Sequence, residues 1–152
     1  MLPGEELSIK WPNDIYVGQG KIGGILINNE IMDDRFEHVI AGIGINVNQK
    51  SFSSDIPIPV SLSNISGKNY SLEEVTLRLC DFVTGRYEQL KQGSFDQLRD
   101  EYHKNLLGIN KWREYIYQEK TIKAKISGVN EFGRLLLETE DDSIECDIKE
   151  LV

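Results

Sequence analysis

The chain has 152 residues, with 39% hydrophobic and 28% charged residues, which fits one folded domain or a domain with a small appendage. No apolar run approaches the ~20 residues of a membrane helix; Gly42 and Gly44 interrupt the longest candidate, from Val39 to Val47. The formal net charge of -8 would repel a long polyanion such as DNA, but it is silent on small anions such as nucleotides.

Met1-Leu2-Pro3-Gly4 has neither the basic nor the apolar region of a secretory signal. Cys80 and Cys146 lack metal-ligand spacing and read as reduced, buried or half-buried thiols of a cytoplasmic protein.

In chain order, Leu7, Ile9 and Trp11 alternate with polar residues, the period of a strand. Trp11-Pro12-Asn13-Asp14 is turn chemistry, and Ile15-Tyr16-Val17 returns to strand composition. Gly18-Gln19-Gly20 signals a hairpin before a strand from Lys21 to Ile31. Asp33-Asp34-Arg35 closes a second hairpin, and Phe36 to Asn48 is the next strand. Residues 7–48 therefore read as an antiparallel meander.

Residues 49–60 form a loop, and Ser61 to Ile65 a short helical turn. The strongest helix runs from Ser71 to Lys91, opened by the capping box Ser71/Glu74. Leu72, Val75, Leu79, Phe82, Val83 and Leu90 give it an apolar stripe. Ser94 and Gln97 suggest a second capping box, for a helix reaching about Leu106.

Composition shifts at Leu107-Gly108-Ile109-Asn110. Short strands follow at Arg113–Gln118, Thr121–Val129, Arg134–Glu138 and Ser143–Leu151. Their turns fall at Glu119-Lys120, at residues 130–133 and at Asp141-Asp142. The expectation is α+β: a mostly antiparallel sheet with one or two helices over residues 1–107, then a small SH3-like β-barrel over 108–152.

Two segments hold more glycine than a strand tolerates without loss: residues 18–24 and residues 42–48. Their glycines could floor one groove, or they could mark bulges and tight sheet packing. Lys21 precedes Ile22. If Ile22 faces a core, Lys21 faces the other side beside Gly23, where an ammonium can stabilise developing negative charge. The alternative is a solvated strand lysine. Asn13 and Asp14 could orient a substrate or Mg²⁺, or form a plain Asx turn. No phosphate-binding Gly-x-x-x-x-Gly-Lys-Ser/Thr loop and no Gly-x-Ser-x-Gly elbow occurs, and His38 and His103 stand alone.

Three segments together resemble the successive motifs of biotin–protein ligases. They are Lys10-Trp11-Pro12-Asn13-Asp14, Lys21-Ile22-Gly23-Gly24-Ile25-Leu26-Ile27, and Gly42-Ile43-Gly44-Ile45-Asn46-Val47-Asn48. The resemblance continues more loosely through Val60-Ser61-Leu62 and the tail from Gly108. It implies an enzyme that makes biotinyl-5′-adenylate from biotin and ATP with Mg²⁺. The biotin then passes to a lysine of a carrier domain, typically in acetyl-CoA carboxylase.

By that resemblance Lys21 contacts the biotin carboxylate and the adenylate phosphate. Gly23 and Gly24 let biotin lie against the strand, and Asn46 sits near the nucleotide. Asn13 and Asp14 lie near the phosphates or the metal, and Lys10 supports the pocket. The family's Gly-Arg-Gly-Arg-type loop is missing, because Gly85-Arg86 and Gly133-Arg134 are unrelated by context. The chain starts part way through the family's catalytic domain. The expectation is a truncated ligase or one half of a split enzyme, inactive alone and prone to self-association through an exposed sheet edge. Two other readings stay open: a lipoate-ligase-like enzyme of the same chemistry, and a non-catalytic module that docks a carrier or dimerises.

Overall fold

The computed structural model describes residues 6–32, 35–53, 58–148 and 150–151. The chain forms two compact units, one of Met1–Ser8 and Asn13–Gly93, the other of Ile9–Pro12 and Ser94–Val152.

The first sheet has the order β1-β2-β3-β4, with β1 at Leu7–Lys10, β2 at Asp14–Val17, β3 at Gly20–Met32 and β4 at Arg35–Ile45. The β2/β3 and β3/β4 pairs are antiparallel, as the meander predicts. Asp33 and Asp34 of the second predicted hairpin lie outside the described residues.

The predicted last strand ends three residues early. At Asn46 the chain leaves the sheet: its amide still bonds the Ile22 carbonyl, but its own carbonyl accepts from Leu62 N. That turn leads to a short helix, α1, at Leu62–Ser66. Ser61 and Asn64 close a full capping box there, a pairing hidden in the sequence because asparagine replaces the usual Glu or Gln.

The long helix α2 spans Leu72–Lys91, and Ser71 Oγ accepts from Glu74 N at 3.3 Å. Its apolar stripe is not packed as the periodicity suggests. No residue of α2 is buried, and Leu72, Leu77 and Phe82 are 60–70% exposed. Cys80, on the same helix, is exposed as well. The core of this unit is small: Tyr16, Val17, Ile22 and Val47 are its buried apolar side chains among the described residues.

The second unit contains α3 at Phe95–Lys104 and the strands β5 at Trp112–Tyr117, β6 at Lys120–Val129, β7 at Leu135–Glu138 and β8 at Ser143–Cys146. Ser94 makes no side-chain cap bond, and Gln97 Nε2 instead donates to Glu101 Oε1 at 3.1 Å. Residues 9–12 join this unit through backbone bonds from Ile9 N to Asn105 O and from Leu107 N to Ile9 O. The Trp11 indole also donates to Gly133 O at 2.9 Å.

The four strands are antiparallel in the order β5-β6-β7-β8, and among the described residues no sheet closes into the expected barrel, although an isolated bridge joins Tyr117 to Leu151. The β5/β6 turn falls one residue earlier than predicted: Gln118 and Glu119 both take positive φ, the geometry of a two-residue hairpin turn. Ala124, Leu135, Leu137 and Cys146 form the fully buried centre. Burial, with Glu150 adding a smaller push, raises the Cys146 thiol to about 11 and keeps it protonated and unreactive.

Candidate functional site

A cleft of about 570 Å³ opens on the first unit, over β3 and the end of β4. An irregularity in the β2/β3 pairing shapes it. A register shift at Ile15/Tyr16 places Ile15 opposite Gly23 and Tyr16 opposite Lys21, so Ile22 is an extra residue. Ile22 is 6% exposed and faces the core, and Lys21 lines the cleft instead.

The backbone of Lys21 is fixed on the side β4 has vacated. Its amide donates to Ile58 O at 2.9 Å, and its carbonyl accepts from Val60 N at 3.0 Å. The Asn46 side chain secures that segment by donating from Nδ2 to Val60 O at 3.0 Å. A longer contact of 3.5 Å runs from the same nitrogen to Lys21 O. Asn46 thus lines the cleft and also fastens the strand end that carries Lys21.

The Lys21 ammonium lies 2.6 Å from Asp14 Oδ1, with the two side chains 30% and 25% exposed. The pair is part-buried, so water still screens it and its net stabilisation is small. Among the residues lining the cleft, Asp14 and Lys21 are the charged ones, and their charges cancel. Asn13 also lines the cleft, and its backbone carbonyl accepts from Ile25 N at 2.8 Å.

The glycines divide by role. A Cβ on Gly23 would overlap the Gly44 carbonyl oxygen, so Gly23 permits the close approach of β3 and β4. A Cβ on Gly24 would crowd Asn13 O at 3.1 Å and Asp14 Oδ1 at 3.3 Å. A Cβ on Gly44 would meet nothing within 4 Å, and at Gly42 only Leu26 O at 3.8 Å. Both tight packing and an open floor therefore occur, at different positions. Gly42 and Gly44, on one face by their i, i+2 spacing, are the bare floor of the cleft.

Asn13, Asp14, Lys21, Gly23, Gly24 and Asn46 are thus brought together. Lys10 is exposed on β1 and does not line the cleft. Gln49 lines it too, a position that nothing in its local sequence distinguishes. Among the described residues, no group of three or more His, Cys, Asp or Glu side chains could hold a metal ion. His103 serves a structural end, its Nε2 lying 3.1 Å from both the amide and the carbonyl of Val129.

Residues 2–46 match the family model described as Biotin/lipoate A/B protein ligase family. The chain is 34% identical over 143 residues to the bifunctional ligase/repressor BirA of Bacillus spizizenii, covering 91% of this chain and 43% of that protein. It is 25% identical to the human biotin–protein ligase over 91% of this chain and 19% of that protein. Its fold matches a biotin protein ligase from Aquifex aeolicus, solved in complex with biotin and ATP. That match has a TM-score of 0.73 and 30% identity, over 96% of this chain and 61% of that one. The chain therefore spans less than half of the Bacillus relative and about three fifths of the Aquifex structure. Motifs and fold agree in what the chain is similar to: residues 2–46 match the biotin/lipoate A/B protein ligase family, and most of the chain is homologous to biotin–protein ligases.

Proposed function

We propose that this chain supplies the reactive-lysine strand of a biotin–protein ligase. The supporting observation is the placement of Lys21, a fixed-backbone lysine whose ammonium lines a glycine-floored cleft beside Asn46. In the reaction assigned here, the biotin carboxylate attacks the α-phosphorus of ATP. A P–O bond forms to the carboxylate, the α–β bridging P–O bond breaks, and pyrophosphate leaves. Negative charge accumulates on the α-phosphate oxygens, where a preorganised ammonium lowers the barrier. The carrier lysine then attacks the acyl carbon and releases AMP.

In this reading residues 1–107 are the C-terminal part of the catalytic domain, and residues 108–152 are the family's small C-terminal domain. Asn46 and Asn13 flank the nucleotide, and Gly23 and Gly24 bring the strand close to biotin. A Mg²⁺ arriving with the nucleotide would be held through one or two carboxylates together with substrate phosphates. The single carboxylate of Asp14 fits that partial role for a Mg²⁺–nucleotide. The partner is a biotin carboxyl carrier domain, and the compartment is the cytoplasm. No helix among the described residues is long and apolar enough to cross a membrane.

The lining of the cleft has no arginine and no net positive charge for a triphosphate. In the family reading, the Gly-Arg-Gly-Arg-type loop supplies both. The purified chain alone is therefore expected to show negligible biotinylation of a carrier domain, and addition of a polypeptide bearing that loop should raise it. A measurable rate from the chain alone would refute this part of the reading. Labelled lipoate in place of biotin separates the lipoate-ligase alternative.

The outer edge strand β4 exposes Val39 and Ile40 at 58% and 68%, and α2 exposes its apolar stripe. A long apolar edge is a template for pairing. Sedimentation should show concentration-dependent self-association, and a sharp monomer at high concentration would contradict it.

A further inference from the structure

We propose that Asp14 is the positioning residue for Lys21: it holds the ammonium over the cleft floor and neutralises it until an anion displaces the carboxylate. The proposal rests on the reading of Lys21 as the reacting amine. It adds a role to Asp14 that is independent of any metal.

Three observations carry it. The pair is close, 2.6 Å from Nζ to Oδ1, although both side chains retain exposure and could each be hydrated instead. Asp14 faces Gly24 across the β2/β3 ladder, and a Cβ there would stand 3.3 Å from the same Oδ1. The glycine thus leaves the space in which the carboxylate sits. The cleft is also charge-neutral as built, since Asp14 and Lys21 are the charged residues lining it.

A lysine on a four-carbon stem loses rotamer freedom when it is held, so a fixed counter-ion reduces the cost of aiming it. The same carboxylate opposes an incoming phosphate. Positioning and screening are therefore two effects of one contact, and they act with opposite sign on two measurable quantities.

The first measurement is the ¹⁵N–¹H signal of the Lys21 ammonium in the purified chain, assigned by its disappearance in Lys21→Met. The expected result is a signal protected from exchange in the wild type, lost in Asp14→Asn and retained in Asp14→Glu. The second is AMP binding without divalent metal at low ionic strength. Asp14→Asn should bind AMP roughly threefold more tightly, and Lys21→Met more weakly, as expected for a partly screened pair.

An ammonium signal unchanged in Asp14→Asn would overturn the proposal, as would weaker AMP binding in that variant. If AMP binds neither protein, the ammonium signal alone decides. Failure of the ligase reading looks different. Adenylate formation in the complete enzyme would then be indifferent to Lys21, while the ammonium signal would still depend on Asp14.

Discussion

Replacing Lys21 with alanine is expected to lower biotinyl-adenylate formation by about 10²–10³-fold, the range for removing one preorganised charge-stabilising group. The assay is biotin-dependent pyrophosphate release by the complete enzyme. The backbone of Lys21 makes the structural contacts, through Ile58 and Val60, and all of these survive the substitution. Its side chain contributes a part-exposed ion pair, worth at most about 1 kcal/mol to folding. Melting should therefore barely change while the rate collapses. A module that only docks a carrier would show neither effect, so unchanged adenylate formation would select that reading instead.

The second large effect concerns the fold. Gly23→Ala is expected to destabilise the first unit by on the order of 3 kcal/mol. The added methyl would fall on the Gly44 carbonyl, which is backbone and cannot rotate away, and Ile45 Cα stands only 3.3 Å from the same point. The β3/β4 pairing must open or shift to admit it. Gly44→Ala places its methyl in open space on the cleft side, so its melting should stay close to wild type. A urea melt of the two variants reads the contrast. Equal, small effects would mean that the strands can separate without loss. Gly44→Ala should instead weaken ligand binding, because its methyl enters the cleft floor.

The first sheet was legible because each of its signals is local. Alternation, the Gly18-Gln19-Gly20 turn and the β-branched run set strand order and pairing without help from distant residues. The cleft was legible in part. Lys21 and Asn46 fell together because β3 and β4 are neighbours. Their mutual support was not, since the segment Ile58–Val60 that replaces β4 beside Lys21 is far away in sequence. The division of labour among the glycines was also hidden. It depends on which face of the pleat each residue occupies after the shift at Ile15/Tyr16, and local spacing does not reveal a bulge.

The helices show the opposite limit. The α2 stripe has the right period to pack, yet periodicity states only that a face is apolar, not what covers it. A 20-residue helix with no buried side chain draws little stability from tertiary packing. The barrel expectation failed to appear for a related reason. Four short antiparallel strands with tight turns fit an open meander as well as a closed barrel, and closure depends on shear between the first and last strands.

The most direct test is a crystal structure of the assembled enzyme with a non-hydrolysable biotinyl-adenylate. The linkage that replaces the acyl phosphate is expected within hydrogen-bond reach of Lys21 Nζ, over Gly42 and Gly44. An adenylate seated elsewhere on the chain, or one whose phosphate faces away from position 21, would contradict it.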